Sequence, residues 1–188
     1  MINIDIVNQA LQVIGVSPIT SFDEEIEQAR KAKQIYDTTL QFLLSEHRWN
    51  FAIRVKKLPL LTNNDLSDMY EYCYSKPSDI IKIVEVIDVN GYEIKYLDQD
   101  GKIYTNDENA YLRYVFYLED ANKYPPYFVE ALKYKLASEL SISLVGRTDL
   151  VQLMYNQYTI ALQKAKAFDA QQGTPGKMVY RSEWLEGR

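Results

Sequence analysis

The chain has 188 residues, 47% of them hydrophobic and 25% charged, with 21 basic against 26 acidic side chains and a formal net charge of −5. That length gives one domain, two at most, and enough chain to bury a real core. The acidic balance argues against a tight duplex-DNA binder, whose affinity is largely phosphate neutralisation, and a lone cysteine, Cys73, excludes an internal disulfide framework and cysteine-based zinc motifs.

The opening MINIDIVNQALQ is amphipathic and acidic and lacks the basic-then-apolar order of a secretory signal. Ile6, Val7, Ala10, Leu11 and Ile14 share one helical face, with Asn3 as N-cap, Gly15 as stop and Pro18 beyond. A second helix is predicted to start at Ser21, where Ser21 and Glu24 make a capping box and Asp23, Glu24 and Glu25 suit the helix dipole. Its apolar face is Ala29, Ala32, Tyr36, Leu40 and Leu43, and it runs to the neighbourhood of Glu46.

From Phe51 the period changes to two: Phe51, Ile53 and Val55 alternate with Ala52, Arg54 and Lys56 until Pro59. Alternation returns in 70–74, 82–88, 92–97, 102–105 and 111–118, and Asn90-Gly91 and Asp100-Gly101 predict type I′ hairpin turns. The middle of the chain therefore reads as one small antiparallel sheet. The longest apolar run, residues 114–118, is far short of a bilayer span, so no membrane partner is expected.

Pro125-Pro126 suit the start of a third helix with the stripe Phe128, Leu132, Leu136 and Leu140, closed by Gly146. A fourth, capped by Thr148 or Asp149, has the stripe Leu150, Met154, Tyr158, Ala161, Ala165 and Phe168 and ends at Gly173. The fold class predicted is α+β, mainly α. Residues 1–50 and 120–172 form a discontinuous four-helix bundle, residues 51–119 an inserted antiparallel β segment, and residues 173–188 an extended tail. That tail is rich in apolar anchors for a solvated segment, which points to docking on its own domain or on another chain.

Chemistry has little to stand on. His47 is the only histidine, so any Ser-His-Asp or Cys-His set runs through it, but a helix-end histidine packed beside Trp49 is the simpler reading. Cys73 lies in an alternating strand and reads as a small buried hydrophobe. Asp98-Gln99-Asp100-Gly101 has strand flanks and no closing glutamate, which a calcium loop needs. No phosphate-cradling glycine loop is present, and Lys164 and Lys166 read as a solvated face. No catalytic, cofactor-binding or metal residue is assigned, and no cofactor is expected.

Several segments in order carry a resemblance. These are Ile4–Asn8 with Ala10-Leu11 and Ile14-Gly15; Pro18–Glu24 with Ala29-Arg30 and Tyr36-Asp37; and His47-Arg48-Trp49-Asn50-Phe51-Ala52, with Arg48 where a proline is usual. Lys76-Pro77-Ser78-Asp79, Phe128–Leu132 with Leu136-Ala137 and Glu139-Leu140, and the closing Ser182–Arg188 complete the series. Together they resemble the tail tubular protein A, or head-to-tail adaptor, family of short-tailed bacteriophages. Coverage is nearly the whole chain, and the central sheet is the least similar part.

The resemblance implies a structural virion protein in the neck of the tail, made in the host bacterial cytoplasm, and not an enzyme. Its partners are then the portal protein, the tail nozzle protein and copies of itself in an expected twelve-fold ring. Viral DNA passes through without sequence-specific binding. In that setting Met178, Tyr180, Trp184 and Leu185 are expected to anchor the tail on the portal or a neighbouring subunit, with Arg181 and Arg188 as charged contacts; a tail folded on its own helices is the alternative. For His47, Arg48, Trp49, Asn50 and Phe51 the expected role is to pin the sheet to the bundle, with a contact to the next subunit as the alternative. Sixteen tyrosines against six phenylalanines suit interfaces, where the ring buries area and the hydroxyl finds a partner. The competing function is a tail-associated cell-wall glycan hydrolase, which needs two carboxylates across a groove; a small DNA-associated regulator is a weaker third.

Overall fold

A computed structural model describes residues 3–172. Its elements, in chain order, are α1 (Asn3–Val13), α2 (Glu27–Ser45), β1 (Ile53–Lys57), β2 (Tyr72–Ser75), β3 (Ile80–Ile87), β4 (Leu97–Gln99), β5 (Lys102–Thr105), β6 (Tyr111–Phe116), α3 (Pro126–Leu140) and α4 (Thr148–Gln172). The architecture is α+β, with helices at both ends and strands between. Among the described residues no helix is long and apolar enough to cross a membrane.

Helix α1 ends as its sequence predicts. Gly15 takes a φ of +76°, its N–H donates to the Gln12 carbonyl, and the Val16 N–H donates to the Leu11 carbonyl. Those two bonds close the helix end on the left-handed residue that glycine adopts without strain. The capping box that follows forms, but not as a cap. The Glu24 carboxylate accepts the Ser21 N–H at 2.9 Å, and Ser21 Oγ accepts the Asp23 N–H at 3.1 Å, yet α2 begins only at Glu27 with Ile26 as an uncapped N-cap. The reason is upstream packing. Asn8 binds the backbone of Ile19 from both sides, at 2.9 and 2.8 Å, holding Ile19 in the core, and Phe22 must turn to reach Tyr36, 5.9 Å between ring centroids. The box therefore makes a turn, and only Glu27 remains to face the helix dipole.

Helix α3 starts on Pro126, whose missing N–H costs nothing in a first turn. Phe128, Leu132, Leu136 and Leu140 are all fully buried. It packs against α1, α2 and α4 and is the axis of the helical core. A π-helical turn over Ser141–Val145 then widens the chain to Gly146, at φ +70°. On α4, Met154, Tyr158, Ala161 and Ala165 face inward as predicted. Phe168 does not: it is half in solvent, stacked on Tyr127, and Asp169 takes the inward position.

The β region forms two antiparallel three-stranded sheets, not one, in the orders β1-β6-β3 and β2-β5-β4. Phe51 belongs to a 3₁₀ turn over Asn50–Ala52 ahead of β1; Ala52 is buried while Val55 is exposed, because β1 is an edge strand. Residues 92–96 lie outside any strand apart from a bridge between Ile87 and Glu93. Asp100 and Gly101 both have positive φ, 51° and 73°, and make the β4–β5 turn of the predicted type. At Asn90-Gly91 only the glycine is left-handed, at φ +86°. The Gly91 N–H donates to the Asp88 carbonyl and the Asp88 N–H to the Tyr92 carbonyl, which gives a three-residue connection with the glycine as bulge.

Strand β6 serves both cores. Leu112 and Tyr114 join Leu58, Tyr74, Val86, Ile103 and Ala110 between the sheets, while Val115, on the opposite face, joins the helical core with Trp49 and Phe128.

Candidate functional site

The helix–sheet junction gathers the densest set of polar and aromatic contacts. Trp49 is fully buried and its Nε1–H donates to the Leu43 carbonyl at 2.9 Å, satisfying the one polar atom of the ring. Phe128 meets it edge-on at 5.1 Å, His47 at 5.0 Å, and Phe51 lies 6.0 Å away. Phe51 in turn packs on Phe128 at 4.8 Å and Tyr124 at 6.2 Å. The sequence stretch that hands a helix over to a strand is thus an aromatic hinge-pin from α2 into α3.

The polar half comes from the far end of the chain. Asp169, 1% exposed, accepts the Asn50 N–H on both carboxylate oxygens at 3.1 Å. The Asn50 side-chain amide donates to the Asp169 backbone carbonyl at 2.7 Å and to Oδ2 at 3.1 Å. The Tyr127 hydroxyl donates to Oδ1 at 3.2 Å, and His47 Nε2 lies 3.3 Å from Oδ2. A buried carboxylate with this many donors is compensated for leaving water. Around it, Lys166 pairs with Glu46 at 3.2 Å and Lys82 Nζ donates to the Ser45 carbonyl at 3.1 Å.

Burial lowers the His47 pKa, and Lys166 and Lys82 push the same way, against the attraction of Asp169. Burial, helped by the Asp169 charge, raises the Tyr127 phenol to about 12, so it stays a hydrogen-bond donor. A His–Asp pair is two-thirds of a nucleophilic triad. Here, however, the carboxylate is spent on Asn50 and Tyr127, and among the described residues no serine or cysteine hydrogen-bonds to His47. The arrangement fastens one chain segment to another.

Of the five junction residues, His47, Trp49, Asn50 and Phe51 come together as expected, and Arg48 stands exposed. Met178, Tyr180, Arg181, Trp184, Leu185 and Arg188 lie outside the described residues. Cys73 is buried. Asp98 pairs with Lys76 at 2.7 Å, and among the described residues no group of three or more His, Cys, Asp or Glu side chains is placed to hold a metal ion.

Sequence reasoning missed Asp169 and Tyr127. The signal for the first was available: Asp169 is the i+4 continuation of the stripe ending at Ala165, a carboxylate at a core position. A second feature lies in the β region, an open groove of about 950 Å³ lined by Tyr70, Tyr96, Glu93, Lys95, Asn106 and Asp107, among others. No protein-family model matches the chain, and no curated protein matches it either.

Proposed function

We propose that this chain is the ring-forming head-to-tail adaptor of a short-tailed phage virion, joining the portal to the tail nozzle and continuing the DNA exit channel. In this reading the four helices act as one bundle, the β region is an insertion into it, and residues 173–188 anchor the subunit on the portal or on a neighbour. The observation that carries the reading is the spread of large apolar side chains in solvent. Phe42, Leu153, Tyr155 and Ile160 stand out from the helices, and Met69, Val89 and Tyr92 from the β region. A heterologous ring needs two different faces on each subunit, plus surfaces for the rings above and below. The Asn50–Asp169 fastening supports it further, because it fixes the last turn of α4, from which residue 173 departs.

Mixing the purified chain with its phage's portal rings and imaging the product tests this. A new layer of density stacked on the portal is expected; portal particles unchanged at saturating chain refute it. Deleting 173–188 is expected to abolish that layer.

A second reading has one observation in its favour. The β-region groove sets Glu93 and Asp107 among two tyrosines, the residue types a glycan hydrolase uses. Dye release from cell-wall substrate, lost in Glu93→Gln and Asp107→Asn, is the outcome that would favour it; no release in repeat preparations disposes of it.

A further inference from the structure

The β region carries a pit and a knob that suit one another but belong to different places on the surface. The pit, an open cavity of about 320 Å³, is lined by Val55, Ile87, Val89 and Tyr111 together with the 88–91 turn. Its apolar rim is left in solvent: Val55 is 49% and Val89 70% exposed. The turn is rigid, because the Asp88 carboxylate accepts the Asn90 and Tyr92 N–H groups, both at 2.8 Å. That also occupies the acid at the pit's edge. Along β1 the pit is bordered by cations. Lys57 shares a strand face with Val55 and sits opposite Tyr111 in the sheet. Its ammonium meets only the neutral Asn109 Oδ1, at 2.8 Å. Lys56, next to it, has no ion-pair or hydrogen-bond partner among the described residues.

The knob is Met69, 68% exposed on the loop between β1 and β2. That loop is pinned as well. The Asn64 amide donates to the Tyr70 carbonyl at 2.6 Å, Asn64 Oδ1 accepts the Leu66 N–H at 3.0 Å, and Asp65 pairs with Lys102. Met69 is flanked by Asp68 and Glu71, both exposed. Neither of those two carboxylates has an ion-pair partner among the described residues.

We infer that the loop presenting Met69 docks in the Val55–Val89 pit of the next copy of this chain, as the lateral contact of a ring. The charge pattern selects a second copy as the occupant: an unpaired acidic pair flanks the apolar knob, an unpaired basic pair flanks the apolar hole, and both are set on turns that need no rearrangement to engage. The two surfaces differ, so the contact is head-to-tail and closes a ring instead of a dimer. A flexible, unbranched methionine suits a shallow pit of mixed shape. The inference rests on the ring reading above and names its side-to-side contact.

The test is cross-linking in the full chain. Val89→Cys and Met69→Cys are introduced together, with the buried Cys73 left in place, and the protein is oxidised alone and after mixing with portal rings. The expected result is a ladder of disulfide-linked multimers beyond the dimer in the double variant, with each single variant stopping at monomer or dimer. A stacked ring seen by imaging without the ladder overturns the contact while leaving the ring reading intact. Neither ring nor ladder overturns both. Charge exchange gives a second measure: Lys57→Glu or Asp68→Lys alone is expected to lower assembly at least tenfold, and the two together to restore it. Equal assembly in all of these variants overturns the inference.

Discussion

The helical and β parts of this chain spend their polar groups differently. In the helical part a single carboxylate, Asp169, is drawn into the interior and surrounded by donors from α3, from the end of α2 and from the turn before β1. In the β part the ion pairs Arg54–Asp79, Lys76–Asp98, Lys102–Asp65 and Arg113–Glu85 lie at the surface, where screening leaves each with little net effect. The apolar cores differ in the same sense. That of the helices unites four helices around α3, whereas that between the sheets is a small cluster around Tyr74, Ile103 and Tyr114. The helical part is built to hold one shape, and the β part to present turns and edges.

The comparison breaks first at Trp49. Trp49→Ala leaves a cavity between Phe51, Phe128 and His47 and is expected to cost about 3–5 kcal/mol, read as a lowered midpoint in urea unfolding followed by circular dichroism. Asp169→Ala strands the Asn50 N–H and the Tyr127 hydroxyl, and a loss of about 2–3 kcal/mol is expected. Tyr127→Phe, which removes one donor and leaves the rest, is expected to cost about 1 kcal/mol. If Asp169→Ala unfolds no more easily than the wild type, the distinction between the two parts fails.

In the β part, Gly101→Ala imposes a left-handed conformation on a side chain, at about 1–2 kcal/mol. The expected effect is faster amide exchange across β4 and β5 with unchanged protection in α3. The smallest effect is on pH dependence. Burial holds the His47 pKa below its ordinary 6.5, so the unfolded chain takes up a proton more readily than the folded one. Stability from this group is full above pH 6.5 and is lost as pH falls toward the folded value. Melting temperature is expected to drop over that interval in the wild type and to flatten in His47→Asn.

Legibility followed periodicity. The stripes Ala29–Leu43, Phe128–Leu140 and Met154–Ala165 are buried as read, because a helix repeats its own face without consulting distant residues. Asp100-Gly101 was equally local, since both turn positions demand positive φ. The failures were all tertiary. Ser21–Glu24 carried a correct capping signature that the burial of Ile19 and Phe22 turned to another use. The division into two sheets depends on which strand β6 chooses to lie beside, β1 and β3, and no local pattern encodes that pairing. Asp169 was passed over because its partner Asn50 stands 119 residues away. The junction was found from Trp49 and Phe51, but its polar half was not.

The central position of α3 has a consequence for biosynthesis. Helices α1 and α2 leave the ribosome early, yet both pack against a helix that begins at Pro126. Strand β1 likewise waits for β6, with Ile53 opposite Val115. Through most of translation the nascent polypeptide thus carries two greasy amphipathic rods without their mate, a state prone to clumping. Collapse into the finished shape comes late and nearly all at once, so premature termination ahead of α3 yields material for chaperones and proteases, not a smaller working fragment.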